Sequence, residues 1–252
     1  MALFTDGSIS TIEDLAAQDA GVMGVAGAEG IDLSGKLALA QEELGVELAA
    51  LMPRANGTPF GGLSLGNVVV TAPLRMWHAF HTLELVYRDA YNNQLNDRYK
   101  GKWEQYRELA RWAWDRLLET GVGIAADPVE RAGAPRLSAV AGGGAAEETT
   151  YYARAAWVNG RGEEGAAGEW SLLTVPAGMA LEVRVAEPPA NAVGWNAYLG
   201  TSADEERLQN DGPLAPAVAW IQGAVPACSG RKPGNGQGPS YLRALPRILQ
   251  RG

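Results

Sequence analysis

The chain has 252 residues, with 21 Lys and Arg against 29 Asp and Glu, a formal net charge of -8 and 46% hydrophobic residues. That length and composition suit one large folded domain or two ordinary ones, and the acidic balance argues against nucleic acid as the main partner of the folded body. No run of about eighteen apolar residues occurs, so no membrane span is expected, and the single cysteine, Cys228, excludes an internal disulfide and fits a reducing cytoplasm.

In chain order, the opening MALFTDGSIS lacks the basic and apolar regions of a signal peptide. Ser10 with Glu13 three residues later is a capping-box pattern, and a short helix through Ile12, Leu15 and Ala16 should stop near Gly21. GVMGVAGAEG is Gly-rich, but no strand precedes it and no Lys-Ser/Thr follows, so it is a poor phosphate cradle. Leu37, Ala40, Leu44, Leu48 and Leu51 recur at steps of three and four and predict a helix ended by Pro53. NGTPFGGLSLGN, residues 56 to 67, reads as a loop. Pro73 suits a first helical turn, and Trp77, Phe80, Leu83, Tyr87 and Tyr91 form one apolar stripe. Asn92, Asn93 and Asn96 predict a break, after which a helix runs from about Asp97 to Thr120 on the stripe Tyr99, Trp103, Tyr106, Ala110, Trp114 and Leu117, with Gly121 beyond its end.

The period then changes. Residues 123 to 134 read as a linker, and from about Pro135 the apolar residues alternate. Strands are expected at 149–158, 169–175, 179–185, 194–202, 207–209 and 218–222, with Asn159-Gly160 as a hairpin signal and AGGGAAEE at 141–148 as a loop tip. Helices followed by strands argue for an α+β multidomain chain: a helical bundle over 1–134, a β-sandwich of about ninety residues over 135–228, and a basic arm over 229–252. That arm holds Arg231, Lys232, Arg243, Arg247 and Arg251 and no acid, starts with a Gly/Pro run that reads as flexible, and ends in apolar residues.

Sites of chemistry are scarce. His78 and His81 stand i, i+3 on a helix with Glu84 three further on; half-buried or interface histidines account for them more simply than a metal, which needs three or four ligands. Cys228 has no visible base or electropositive setting, and the pairs Glu42-Glu43, Glu147-Glu148 and Glu163-Glu164 point to different sides of their elements. No catalytic or nucleotide-binding motif occurs, so an interaction protein without cofactor or metal is expected rather than an enzyme.

Two stretches carry a resemblance. YYARAAWVNGRGEEGAAGEWSLLTV followed by PPANAVGWNAYLGTS resembles the fibronectin type III and Ig-like modules of tailed-phage structural proteins. The segment from LRMWHAF to LLETGVG resembles the helical core of tailed-bacteriophage head–tail connector (adaptor) proteins, on a D-R-Y-x-x-K-W-x-x-Y-like pattern at Asp97, Arg98, Tyr99, Lys102, Trp103 and Tyr106. The second resemblance implies a dodecameric homo-oligomeric ring in the neck of a virion, assembled in the host cytoplasm, between the portal protein and tail or nozzle proteins, with genomic DNA passing by and no membrane contact. It implies that the arm docks on the portal through Tyr241, Leu242, Arg243, Leu245, Arg247, Ile248, Leu249 and Arg251. The alternative is a tail-fibre or capsid decoration protein whose sandwich binds carbohydrate or the capsid surface.

Overall fold

A computed structural model describes residues 1–52, 62–94, 97–143, 146–223, 229–234 and 236–243. Five helices come first and antiparallel sheets follow, an α+β arrangement. The chain divides into two compact units: a helical one, Gly7–Ala126 with Pro239–Gly252, and a strand one, Met1–Asp6 with Asp127–Gly238. The division therefore falls at residue 126 rather than 134, and the C-terminal segment is shared between the units.

In the helical unit, α1 (Ile12–Gln18) is capped by Thr11 and Asp14, one residue later than the Ser10/Glu13 reading. Ser10 is buried and its hydroxyl donates to the Arg75 carbonyl at 3.4 Å, so it is not free to cap. The Gly-rich stretch is a helix, α2 (Val22–Glu29), closed by Gly30 at φ 65°. Two glycines cost a helix roughly 1 kcal/mol each, and burial of Val22 and Ala26 offsets that. α3 (Leu33–Leu51) starts at Asp32, whose carboxylate accepts from Ser34 N, and buries Leu37, Ala40, Leu44 and Leu48 as expected. Pro53, the residue expected to end it, lies outside the described residues, as do Asn96 and the first half of the 56–67 loop; Leu65–Asn67 form a single 3-10 turn.

α4 (Ala72–Gln94) buries more than its predicted stripe, because α1, α2, α3 and α5 all pack on it; His78, Thr82, Leu85 and Val86 are enclosed as well. α5 (Asp97–Thr120) runs back along it. Trp77 meets Trp114 at 4.4 Å between ring centroids at one end and Tyr91 meets Trp103 at 5.7 Å at the other, so the two helices are antiparallel.

The expected linker is no linker. β1 (Val122–Ile124) is a buried strand, and Ala125, Val129 and Ala132 are buried too. Three residues are too short for alternation to show in the sequence.

The strand unit contains β2 (Arg136–Ala141), β3 (Thr149–Asn159), β4 (Ser171–Val175), β5 (Met179–Arg184), β6 (Ala192–Gly200), β7 (Arg207–Leu208) and β8 (Trp220–Ile221). They form two antiparallel sheets, ordered β2-β5-β8 and β4-β3-β6-β7. Both sheets supply one core: Tyr151, Ala153, Ala155 and Trp157 of β3, Leu181 and Val183 of β5, and Trp195, Ala197 and Leu199 of β6. The predicted alternation is what puts them there. The Asn159-Gly160 signal matures into a wider turn. Asn159 Oδ1 accepts from the N–H groups of Arg161 and Glu163, and Gly162 takes φ 75°.

Candidate partner-binding segment

β9 (Ser240–Leu242) belongs to the helical unit, where it pairs antiparallel with β1: Ser240 with Ile124, Tyr241 with Gly123 and Leu242 with Val122. The other side of β1 is occupied, since Val69 N donates to Gly123 O at 2.9 Å and Ala125 N to Asn67 O at 2.8 Å. Two glycines make the seat. Gly121 ends α5 at φ 98°, and a Cβ there would lie 3.1 Å from Leu242 O and 3.2 Å from Tyr241 Cβ. At Gly123 a Cβ would lie 2.7 Å from Thr71 Cγ2 and 3.0 Å from Pro239 Cβ. The sequence Gly121-Val122-Gly123 therefore lets the C-terminal strand approach closely, and nothing in local periodicity signals it.

The expected arm was loose from residue 229. That is corrected as far as Arg243. Within the strand unit, the Arg231 guanidinium pairs with Glu164 and lies 5.6 Å from the Tyr198 ring centroid, and Arg231 O accepts from Leu208 N at 3.0 Å. Glu164 also accepts from Tyr198 Oη and Asn196 Nδ2, both at 2.6 Å, so its carboxylate sits among donors, with Arg231 as its cation. Lys232 Nζ donates to Asp204 O at 3.1 Å. Gln237 is buried, accepting from Val129 N at 2.7 Å and donating to Asp127 O and Glu163 Oε2. A Gly/Pro run reads as free from composition, but partners distant in sequence hold it here.

Of the residues assigned to partner binding, Tyr241 is 56% exposed, Leu242 is half-buried and Arg243 is exposed. Leu245, Arg247, Ile248, Leu249 and Arg251 lie outside the described residues, as does Cys228.

The Asp97–Tyr106 pattern has a structural partner that sequence reasoning missed. Asp19, between α1 and α2, receives Tyr87 Oη at 2.7 Å, Tyr106 Oη at 3.0 Å and Lys102 Nζ at 3.0 Å on one carboxylate oxygen, and Gly21 N at 2.9 Å on the other. Burial pushes the Asp19 carboxyl up, but those four donors more than offset it and hold it below the usual range. Burial first, then the shared carboxylate, pushes both tyrosine hydroxyls well above their usual range. The Lys102 ammonium also lies 5.4 Å from the Tyr106 ring centroid. Tyr99 Oη donates to Glu29 at 2.9 Å, so α5 is tied to both ends of α2. Tyr99, Lys102 and Tyr106, at steps of three and four, are three donors on one helix face; that is the signal from which a facing carboxylate could have been inferred. With one oxygen taking three donors, Asp19 is a fastening rather than an acid or base.

His78 and His81 do different things. His78 is fully buried, its Nε2 donates to Leu37 O at 3.0 Å, and burial pushes its pKa down to about 4. His81 stands between two carboxylates, Nε2 at 2.6 Å from Glu43 and Nδ1 at 3.1 Å from Glu84; burial pulls its pKa down, but the pair more than compensates and raises it. The two rings do not converge on one point, and among the described residues no group of three His, Cys, Asp or Glu could hold a metal ion. Nor, among those residues, is any helix long and apolar enough to cross a membrane.

Compared with known proteins, the chain matches no family model and no curated sequence.

Proposed function

We propose that this chain is a non-enzymatic structural protein of a virion, an adaptor subunit that joins the portal to the tail. In this reading a dodecameric ring sits in the neck, assembled in the host cytoplasm, and docks on the portal through the C-terminal segment. The observation that carries it is β9. The strand is clipped to β1 of the helical unit immediately before a stretch with Leu245, Ile248 and Leu249 set between Arg243, Arg247 and Arg251. A clip followed by apolar anchors and cations suits docking in an acidic groove, the cations steering encounter and the anchors supplying burial. The α4–α5 hairpin, tied to α1 and α2 through Asp19 and Glu29, supplies the rigid body that such a ring requires. Tail or nozzle proteins and passing genomic DNA are the remaining partners of this proposal.

For the strand unit we propose an Ig-like or fibronectin type III-like sandwich. It is supported by the order β4-β3-β6-β7 set against β2-β5-β8 and by Trp157 and Trp195 in their common core. A second reading, a tail-fibre or capsid decoration protein, draws on Trp170, which is 41% exposed and stands edge-on to Tyr152 at 5.3 Å. Binding of the full chain on a glycan array would favour it.

Deletion of residues 244–252 tests the adaptor reading. The truncated chain should keep its circular dichroism and melting temperature, form rings under the electron microscope, and fail to join heads of its particle. Normal joining by the truncated chain, or the absence of any ring in the intact one, overturns the proposal.

A further inference from the structure

α3 and α5 carry one spacing of residues with opposite charge. On α3 it is Leu39, Glu43, Glu47 and Ala50; on α5 it is Trp103, Arg107, Arg111 and Trp114. At about 100° per residue, the two charged positions of each helix form one row and the two apolar positions form the row beside it. In both helices the charges stand about 6 Å apart along the axis and the apolar ends about 16 Å apart.

Both sets reach the surface. Glu47, Ala50, Arg107 and Arg111 are exposed, and Leu39, Trp103 and Trp114 are half-buried. Glu43 meets His81 with one oxygen, and its side chain is still 44% exposed. Val46 lies in the apolar row of α3 and is 71% exposed, more than any other large hydrophobic residue described. The Arg107 guanidinium is 5.5 Å from the Trp103 ring centroid, so the cation stands directly beside its apolar row. The α5 acids Glu104, Glu108 and Asp115 fall one row further round the helix. Within one chain α3 and α5 each pack on α4 and not along one another.

We infer that α3 of one copy of this chain packs antiparallel along α5 of the next, and that this is the contact between neighbours in the ring; the inference rests on the ring of the adaptor reading. Charge complementarity names the occupant. Residues 7–52 hold eight Asp or Glu and one Lys, so two α3 faces repel, whereas the cations of matching spacing stand on α5 of the same chain. Both helices wind right-handed, so antiparallel packing lays charged row on charged row, and parallel packing would lay each charged row on apolar side chains. One register then satisfies all four pairs. Glu43 meets the partner's Arg111, Glu47 the partner's Arg107, Leu39 the partner's Trp114 and Ala50 the partner's Trp103. Val46 falls between the two tryptophans, which is the place for a buried anchor with charges at its rim. The two faces differ, so the contact is heterologous, the kind that a rotation closes into a ring.

Sedimentation equilibrium and electron microscopy of the full chain read the outcome. Glu47→Arg and Arg107→Glu should each weaken self-association at least tenfold, and the two together should restore it, since the swap rebuilds the pair. Both positions are exposed, and near-UV circular dichroism would report that the fold is kept. In a Cys228→Ala background, Glu47→Cys mixed with Arg107→Cys should give a disulfide-linked dimer of the two variants under oxidation, and neither alone should. Wild type that stays monomeric up to about 1 mM, or a double swap no better than the single ones, overturns the inference. Rings indifferent to Glu47→Arg would sink this contact and leave the adaptor reading standing. Swap-sensitive association without rings would keep the contact between copies and sink that reading.

Discussion

Replacing Asp19 with Asn removes one charge, changes almost no volume, and should destabilise the helical unit by about 3 kcal/mol. The figure follows from the donors. The Tyr87 and Tyr106 hydroxyls meet the same carboxylate oxygen, and each charge-assisted bond contributes about 1.5 kcal/mol. Lys102 adds little, because its side chain is 43% exposed and water can solvate the ammonium once the carboxylate is gone, whereas that of Asp19 is only 8% exposed. The Gly21 bond survives, since the Asn carbonyl can accept in its place. Urea unfolding at pH 7 followed by circular dichroism is the assay, with an unchanged slope required for the midpoint shift to be read as stability. The pH dependence has a definite sign. A carboxyl held below its unfolded value of about 3.9 contributes stability that is full above that value and is lost as pH falls through the folded value. Wild type and Asp19→Asn should therefore differ equally at pH 7 and pH 5 and converge only in stronger acid. A loss below about 1 kcal/mol at pH 7 would show that the tyrosines find other partners and that this cluster does not fasten α5.

The other expectations are narrower. Gly123→Val should cost about 2 kcal/mol, because its Cβ would overlap Thr71 and Pro239, and should speed amide exchange at Tyr241 and Leu242; protection equal to wild type would mean that β9 is held elsewhere. His81→Gln should cost roughly 1 kcal/mol at pH 6, where both ring nitrogens donate to carboxylates. The raised His81 pKa makes that contribution complete below the unfolded value and lost as pH rises through the folded one, so the gap between variant and wild type should close in alkali; a pH-independent gap would refute the carboxylate clamp. Arg231→Ala should lower stability by about 1–2 kcal/mol, an effect that Glu164→Gln made beforehand should largely absorb in a double-mutant cycle; additive losses would mean that the two side chains act independently.

The elements whose signals are local can be read from the chain. α3, α4 and α5 follow from a 3.6-residue period, and β3, β5 and β6 from alternation closed by turn residues, because helix and strand geometry turn a repeat directly into one buried face. The tertiary structure decided what depended on a remote partner. α2 is helical despite its glycines because α1 and α4 bury it. Tyr99, Lys102 and Tyr106 were legible as a pattern, but that they meet Asp19 and Glu29 was not, since a carboxylate's spacing in the chain says nothing of which donors fold onto it. β1 and β9 are three residues each, too short for any period; they exist because two glycines leave room for one strand to lie against the other, and steric room is a property of the folded chain alone.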